Sequence, residues 1–325
     1  MSNDWPISVT ALEPFGTGLR RPECVVAMPS GDVFVPEWPG GVTVVRVDGG
    51  TQTWRAADPA VDLRPNGIAL TSDGSFLIAN LGDAGGVWRL DRAGALSPVL
   101  IEVDGVPLPP ANFVTADEQG RVWISVSTRL APRQQAWRAD VADGFVVLID
   151  SSGPRIVADG LHYTNEVRPD PEGKWLYVVE TFGRQVRRFP IGARATLGTA
   201  ETVFSVAGQG FFPDGFAFDV DGGLWVTSLV SNRLVRFHRD RLETVLEDVN
   251  PDFVARVEHA FASRSMGADH LGRIPGTMLQ QLTSLAFGGP DGRTVYLGSL
   301  HASCLYRFRA AIGGARLPHW AFPAP

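Results

Sequence analysis

Apolar residues in this chain come in short runs cut by polar punctuation, without the three-to-four-residue stripe of long amphipathic helices. Residues 214–237 (DGFAFDVDGGLWVTSLVSNRLVRF) are typical: a strand-length apolar run, a Gly/Asp turn, a second run, a polar loop and a third run. Such spacing predicts antiparallel strands joined by a tight turn and then a longer loop. The pattern recurs six times, opening at Glu23, Asn66, Asn112, Asn165, Asp214 and Thr283, with spacings of 43, 46, 53, 49 and 69 residues. A unit of that length is a four-stranded propeller blade with loop insertions, so the chain is read as all-β, one six-bladed β-propeller domain over residues 1–325. A doubly wound α/β sheet needs long helices between its strands, and none is patterned there.

A Gly-containing turn, Ser30-Gly31, Asp73-Gly74, Gln119-Gly120, Glu172-Gly173, Gly222-Gly223 or Asp291-Gly292, is expected between the first and second strands of each blade. The last blade needs an outer strand, which Ile7–Leu12 or Trp320–Phe322 could supply. Two insertions interrupt the repeat. Residues 128–143 lengthen the second-to-third strand loop of blade three, and residues 246–280 lengthen the link from blade five to blade six. In the latter, Phe253, Val257, Ala260 and Phe261 fall at helical spacing, which predicts a short amphipathic helix over Pro251–Met266.

Composition removes several classes of partner. With 29 Lys and Arg against 35 Asp and Glu the net charge is −6, and no basic run could track a nucleic-acid backbone. No eighteen-residue apolar stretch occurs, and Met1–Leu12 lacks a signal-peptide pattern, so a soluble cytoplasmic protein without a membrane partner is expected. Cys24 and Cys304 are too few for a disulfide framework and are read as reduced thiols.

The candidate chemistry lies where the repeats open. First strands of propeller blades line the central channel, so Glu23, Asn66, Asn112, Asn165, Asp214 and Thr283 are expected to face one another at one mouth. An Asn, Asp or Thr opening a strand ordinarily bonds nearby backbone. Six oxygen donors in one register, Glu23 above all, exceed that role. No Lys or Arg opens a repeat, and a buried carboxylate without a partner is costly, so Glu23 and Asp214 call for a cation. Oxygen-only donors favour Ca²⁺ or Mg²⁺, with Ca²⁺ suited to ligands from separate blades, although Zn²⁺ or Mn²⁺ could occupy the same cage. Glu37, Trp38, Asn80, Asp83, Glu180 and His301 fall in loops of the same mouth, where a solvated loop role competes with substrate contact. His301 is the best candidate base or substrate contact among them, His259 and His270 are weaker, and His162, His238 and His319 read as structural.

These residues resemble the senescence-marker-protein, regucalcin and gluconolactonase family of six-bladed propellers. Carrying the resemblance are Arg21-Pro22-Glu23, Asn112 with Asp117-Glu118-Gln119-Gly120-Arg121, Thr164-Asn165, and Phe212-Pro213-Asp214-Gly215 before Asp219-Val220. The resemblance implies a Ca²⁺-type ion on Glu23, Asn165 and Asp214, Asn112 positioned to bind substrate or a metal-bound water, and lactone hydrolysis as the commonest activity. Phe113 and Glu166 depart from the family's usual Asp and Gly, and the second insertion is long. Its Phe253, Phe261, Met266 and Met278 would suit a substrate less polar than a sugar lactone.

The reaction expected is hydrolysis of a small lactone or ester, with the cation polarising the carbonyl and Asp214 as base. Asn66, Asn112 and His301 would contact substrate. A phosphotriesterase, a metal-dependent lyase or isomerase, and a non-catalytic ligand-binding propeller fit the same residues. Oligomeric state is left open by the sequence.

Overall fold

A computed structural model describes residues 5–57 and 61–322 of the chain. Met1–Asp4, part of the segment read for a leader, fall outside the described residues. Six four-stranded antiparallel sheets follow one another along the chain and are the blades of a six-bladed β-propeller. Blade one comprises Val26–Ala27, Val33–Glu37, Gly41–Val45 and Thr51–Arg55, and blade two Pro65–Leu70, Phe76–Asn80, Val87–Leu90 and Leu96–Leu100. Blade three is Ala111–Ala116, Val122–Val126, Gly144–Asp150 and Gly153–Leu161, and blade four Thr164–Pro169, Trp175–Glu180, Gln185–Pro190 and Glu201–Ser205. Blade five is Pro213–Phe218, Leu224–Ser228, Arg233–His238 and Arg241–Glu247, and blade six Leu282–Gly288, Thr294–Ser299 and Leu305–Arg309 with Glu13–Phe15 outermost. Packing divides the described residues into two compact units, 5–35, 44–51 and 206–316 in the first, and 36–43, 52–57, 61–205 and 317–322 in the second.

Burial explains which residues make which strand. Second strands such as Val33–Glu37, Phe76–Asn80 and Leu224–Ser228 are buried at every position and are rich in Val, Phe and Leu. Outer strands such as Thr51–Arg55 and Glu201–Ser205 are mostly exposed and polar. In the first unit Trp225, Leu234, Leu246, Leu282, Leu297 and Val295 form one apolar cluster. In the second, Val87, Val114, Ile124, Val126 and Val147 form another. Each such side chain contributes on the order of 1.5–3 kcal/mol by leaving water.

The turn between first and second strands has the expected backbone in all six blades: Gly31, Gly74, Gly120, Gly173, Gly222 and Gly292 take φ between 65° and 92°, a region costly for a residue with Cβ. In two of these turns the stapling aspartate also takes a tryptophan indole N–H. Asp219 Oδ2 accepts from Trp225 Nε1 (2.8 Å) and Arg236 Nε (2.6 Å), while its Oδ1 accepts from the backbone of Asp221 and Gly223. Asp117 does the same with Trp123 Nε1 (2.8 Å) and Arg121 Nε (2.6 Å). Both residues behind the family resemblance at Asp117 and Asp219 are thus turn staples.

Of the two candidates for the outer strand of blade six, the N-terminal side supplies it, displaced along the chain: Glu13–Phe15 pairs with Leu305–Arg309, whereas Val9–Ala11 and Pro318–Ala321 are 3₁₀ turns. The predicted helix forms as α1, Pro251–Ala262, shorter than expected because Ser263 and the left-handed Arg264 (φ 57°) end it. Asn250 caps it by accepting from Phe253 N (2.9 Å), and Phe253, Val257 and Ala260 are its buried face. A small hairpin, Glu102–Val103 with Val106–Pro107, links blades two and three and carries no signal in the repeat pattern.

Candidate functional site

The predicted site residues sit where regular strand pairing breaks. In blades two to six the ladder between first and second strands skips from Pro65 to Ile68, Ala111 to Phe113, Thr164 to Val167, Pro213 to Phe216 and Leu282 to Leu285. Asn66, Asn112, Asn165, Asp214 and Thr283 are among the residues skipped. A bulge of this kind releases backbone from the ladder and re-aims side chains. Glu23 stands ahead of the shortened first strand of blade one. All six are buried, with relative exposures from 1% for Thr283 to 7% for Glu23.

Within the first unit, hydroxyl groups knit three of these openings together. Thr283 Oγ1 donates to the Glu23 carbonyl (2.7 Å) and Thr227 Oγ1 donates to the Thr283 carbonyl (2.5 Å) while accepting from Gly215 N (2.9 Å). The backbones of Glu23, Thr283 and the Asp214-Gly215 bulge therefore form one network. Gly298 permits it: a Cβ there would lie 2.6 Å from the Pro22 carbonyl oxygen and 2.9 Å from that of Glu23. One expectation is corrected. Glu23 does have a basic partner, since Arg21 Nη1 lies 3.2 Å from its Oε2. Arg21 reaches back because its own backbone is left-handed (φ 56°), which no repeat pattern reveals.

Within the second unit, Asn66 Nδ2 donates to the Asn112 carbonyl (2.9 Å). Asn165 Nδ2 donates to Thr181 Oγ1 (3.0 Å), and Thr181 N in turn donates to the Tyr163 carbonyl (3.2 Å). With its amide nitrogen so committed, Asn165 is oriented to offer Oδ1, its acceptor, on the opposite side. The two departures from the family pattern prove to be one feature: Arg168 pairs through Nε and Nη2 with Glu166 Oε2 (3.2 and 3.0 Å) and lies 4.7 Å from the Phe113 ring centroid. Replacing Gly with Glu here brings a carboxylate whose charge Arg168 balances.

Both insertions are tied to the residue two positions before a candidate ligand. In the second unit Tyr163 Oη accepts from Arg133 Nε (2.8 Å) and Trp137 Nε1 (3.0 Å) of the 128–143 insertion. In the first, Phe212 packs edge-on against Phe261 of α1 at 5.2 Å, and Glu258 Oε1 accepts from Gly210 N (2.7 Å). Asn232 also holds the long link, donating to Leu279 O (2.7 Å) and accepting from Leu282 N (3.0 Å).

The loop residues expected at the mouth divide by burial. Asn80 accepts from Arg64 N and Gly82 N, Glu37 pairs with Arg55 (3.0 Å), and Glu180 holds His162 through its ring Nδ1 (3.1 Å) and backbone N (2.8 Å). These three are buried loop braces instead of solvated groups. Asp83 is exposed, and Trp38 lies half-buried beneath Arg64. His301 Nε2 bonds the Leu271 carbonyl (2.7 Å), and burial, reinforced by the nearby Arg273 and Arg21 charges, holds its pKa below the ordinary 6.5. His259 is exposed on α1, and His270 Nδ1 accepts from Gly267 N (3.0 Å). Cys24 and Cys304 are free thiols.

By chemistry alone, the buried carboxylates of Glu23 and Asp214 in the first unit, and separately the amide oxygen of Asn165 in the second, are donors of the kind a hard divalent cation takes. Among the described residues no group of three or more His, Cys, Asp or Glu is placed to hold a metal.

The SMP-30/Gluconolactonase/LRE-like region profile matches residues 22–252. The chain belongs to that family. Membership supports a lactonase-type hydrolase. The match spans Glu23, Asn66, Asn112, Asn165 and Asp214, whereas Thr283, His301 and most of the second insertion lie beyond it. No curated protein matches the chain in sequence. Among solved structures, the calcium-binding protein regucalcin from Agrobacterium tumefaciens is 17% identical, with a TM-score of 0.63 over 96% of this chain and 97% of its own. A gluconolactonase from Xanthomonas campestris is 16% identical, with a TM-score of 0.63 over 92% and 86%. Virginiamycin B lyase from Staphylococcus aureus is 12% identical, with a TM-score of 0.55 over 93% and 89%. These likenesses are likenesses of fold. No helix among the described residues is long and apolar enough to cross a membrane.

Proposed function

We propose that the protein opens a small lactone by cation-dependent hydrolysis, with Glu23, Asn165 and Asp214 holding one divalent cation, most suitably Ca²⁺. The supporting observation is that buried oxygen donors occupy the bulge in blades two to six, which frees them from strand duties and turns them to chemistry. When bound, the cation would polarise the lactone carbonyl and stabilise charge developing on its oxygen. Asp214 carries a second carboxylate oxygen that takes the proton of the attacking water. Glu23 brings charge, and Arg21 keeps its Oε2 in place. Asn165 presents a neutral oxygen. Asn112 and Asn66, joined through the Asn66 amide, orient the substrate ring by hydrogen bonding. The regucalcin likeness supports calcium and the gluconolactonase likeness supports the lactone.

The test is a panel of γ- and δ-lactones and organophosphate triesters assayed with and without chelator, with products identified by mass. Lactone opening that disappears on chelation and returns with Ca²⁺ is the expected result. Triester cleavage without lactone opening would favour a phosphotriesterase. Products lacking added water would favour a lyase, a reading that the lyase with the same fold keeps worth testing. Calcium-dependent stabilisation with no turnover at all would leave a binding propeller.

A further inference from the structure

Beside Glu23 and Thr283, in the first unit, lies a polar corner that the family match does not reach. Segment 19–23 runs along segment 299–303, joined at both ends: Leu19 N donates to Ser303 O (3.0 Å) and Ser299 N to Pro22 O (3.0 Å). Arg21 and His301 lie between those two bonds. Opposite them is the 3₁₀ turn Ala268–Leu271 of the insertion, followed by Gly272 and Arg273. Two side chains hold the end of this turn. His301 Nε2 bonds the Leu271 carbonyl (2.7 Å) and Gln281 Nε2 donates to the Gly272 carbonyl (2.9 Å). The residue immediately after these two held carbonyls is Arg273.

Arg273 is exposed, and no carboxylate among the described residues pairs with it. Its charge and that of Arg21 both disfavour protonation of His301, after burial of the ring. Gln281 is fully buried, with the left-handed backbone (φ 64°) of Arg21, and its Oε1 accepts no hydrogen bond. A buried carbonyl oxygen without a donor is costly, which indicates a missing hydrogen-bond donor at this corner. A neutral His301 with Nε2–H committed to Leu271 leaves Nδ1 as an acceptor as well. Arg21 is taken up by Glu23, so the corner offers the guanidinium of Arg273 beside uncharged acceptors.

A ring-opened lactone carries both complements: a carboxylate and the hydroxyl released from the ester oxygen. We propose that this corner binds the hydroxy-acid product, with Arg273 as the residue that selects its carboxylate. The proposal rests on the lactonase reading for the identity of the ligand, but not for the existence of the anion subsite. His301 and Gln281 fix the turn presenting Arg273 and also offer the acceptors for the product's hydroxyl.

The experiment titrates the calcium-loaded protein with 4-hydroxybutyrate, the opened form of γ-butyrolactone, and with neutral 1,4-butanediol, by calorimetry. The hydroxy acid should bind at least about tenfold more tightly than the diol, as one charge-assisted bond warrants. Arg273→Ala should remove that preference, Arg273→Lys should restore part of it, and inhibition of lactone opening by added hydroxy acid should fall in parallel. Equal affinity for acid and diol, or an Arg273→Ala protein that binds the acid like wild type, overturns the proposal. Charge-selective binding without any lactone turnover would sink the lactonase reading and leave the anion subsite standing. Lactone turnover without hydroxy-acid binding or inhibition would do the reverse.

Discussion

The proposed cation chemistry rests on Asp214 and Asn165, and each assignment has a measurable consequence. Asp214→Asn keeps an oxygen for a cation but loses the base, so turnover should drop by about 10²–10⁴-fold while calcium binding weakens without vanishing. Near-normal turnover with metal retained would refute the base assignment. Thr181 is absent from any sequence reading because it lies sixteen residues from Asn165 and belongs to the loop after the second strand, yet its hydroxyl orients the Asn165 amide. Thr181→Val should weaken calcium affinity by about tenfold, the scale of outer hydrogen bonds to metal ligands, and Thr181→Ser should recover it. Equal affinity in all three proteins, measured by calorimetry, would deny the link. His301 bears on pH. Its folded pKa is depressed, so on acidification the unfolded chain takes up its proton first, and stability is full above about 6.5 and is lost as pH falls from there through the folded value. A melting-temperature profile between about pH 5 and 8 should show this decline, and His301→Gln should flatten it, since the amide can still donate to Leu271 without titrating. An identical decline in His301→Gln would assign the step to another group.

At the scale of elements, helix α1 was legible because its buried face repeats at three and four residues, whereas the Asn250 cap appears only in the structure. Asn250 does more than cap, for its Nδ2 also donates to Pro275 O (2.8 Å), closing the insertion on itself. Asn250→Ala should cost about 1 kcal/mol locally. Amide exchange across residues 251–262 should accelerate severalfold while the blade strands keep their protection; unchanged exchange in α1 would show the cap to be dispensable. The strands and the six turn glycines were legible for a comparable reason: alternation and positive φ are local demands that leave a residue signature. Bulges left only half a signature. The oxygen-bearing residue at each strand opening could be read, but not that the ladder breaks there, because register depends on the partner strand. Arg21 and Gln281 illustrate what pattern reading misses altogether. Both take left-handed backbone that usually marks Gly or Asn, so their types concealed the conformation that turns them toward Glu23 and toward Gly272. The hairpin at 102–107 is a further miss, its strands being two residues long and too short to show periodicity.

For the molecule as a whole, the decisive connection is the strand that completes blade six. Glu13, Pro14 and Phe15 pair with Arg307, Tyr306 and Leu305, and Arg307 Nε also meets Glu13 Oε2 (3.2 Å). The approach to this strand is packed too: Trp5 stands edge-on to Trp225 at 5.4 Å, Ile7 bridges Leu246, and Leu12 and Phe15 are buried. Removing residues 1–15 would therefore expose the edge of Leu305–Arg309 and uncover apolar surface on blades five and six. Leu12 and Phe15 alone represent about 1.5–3 kcal/mol each of lost burial, and an open edge strand invites pairing with another copy. The truncated protein should melt well below the intact chain and form concentration-dependent oligomers in light scattering. Deleting from Leu317 onward leaves all four strands of blade six in place and should cost far less. A reversed ranking of the two truncations would mean that ring closure resides at the C-terminal end after all, and with it the order in which blade six holds Thr283 against Glu23.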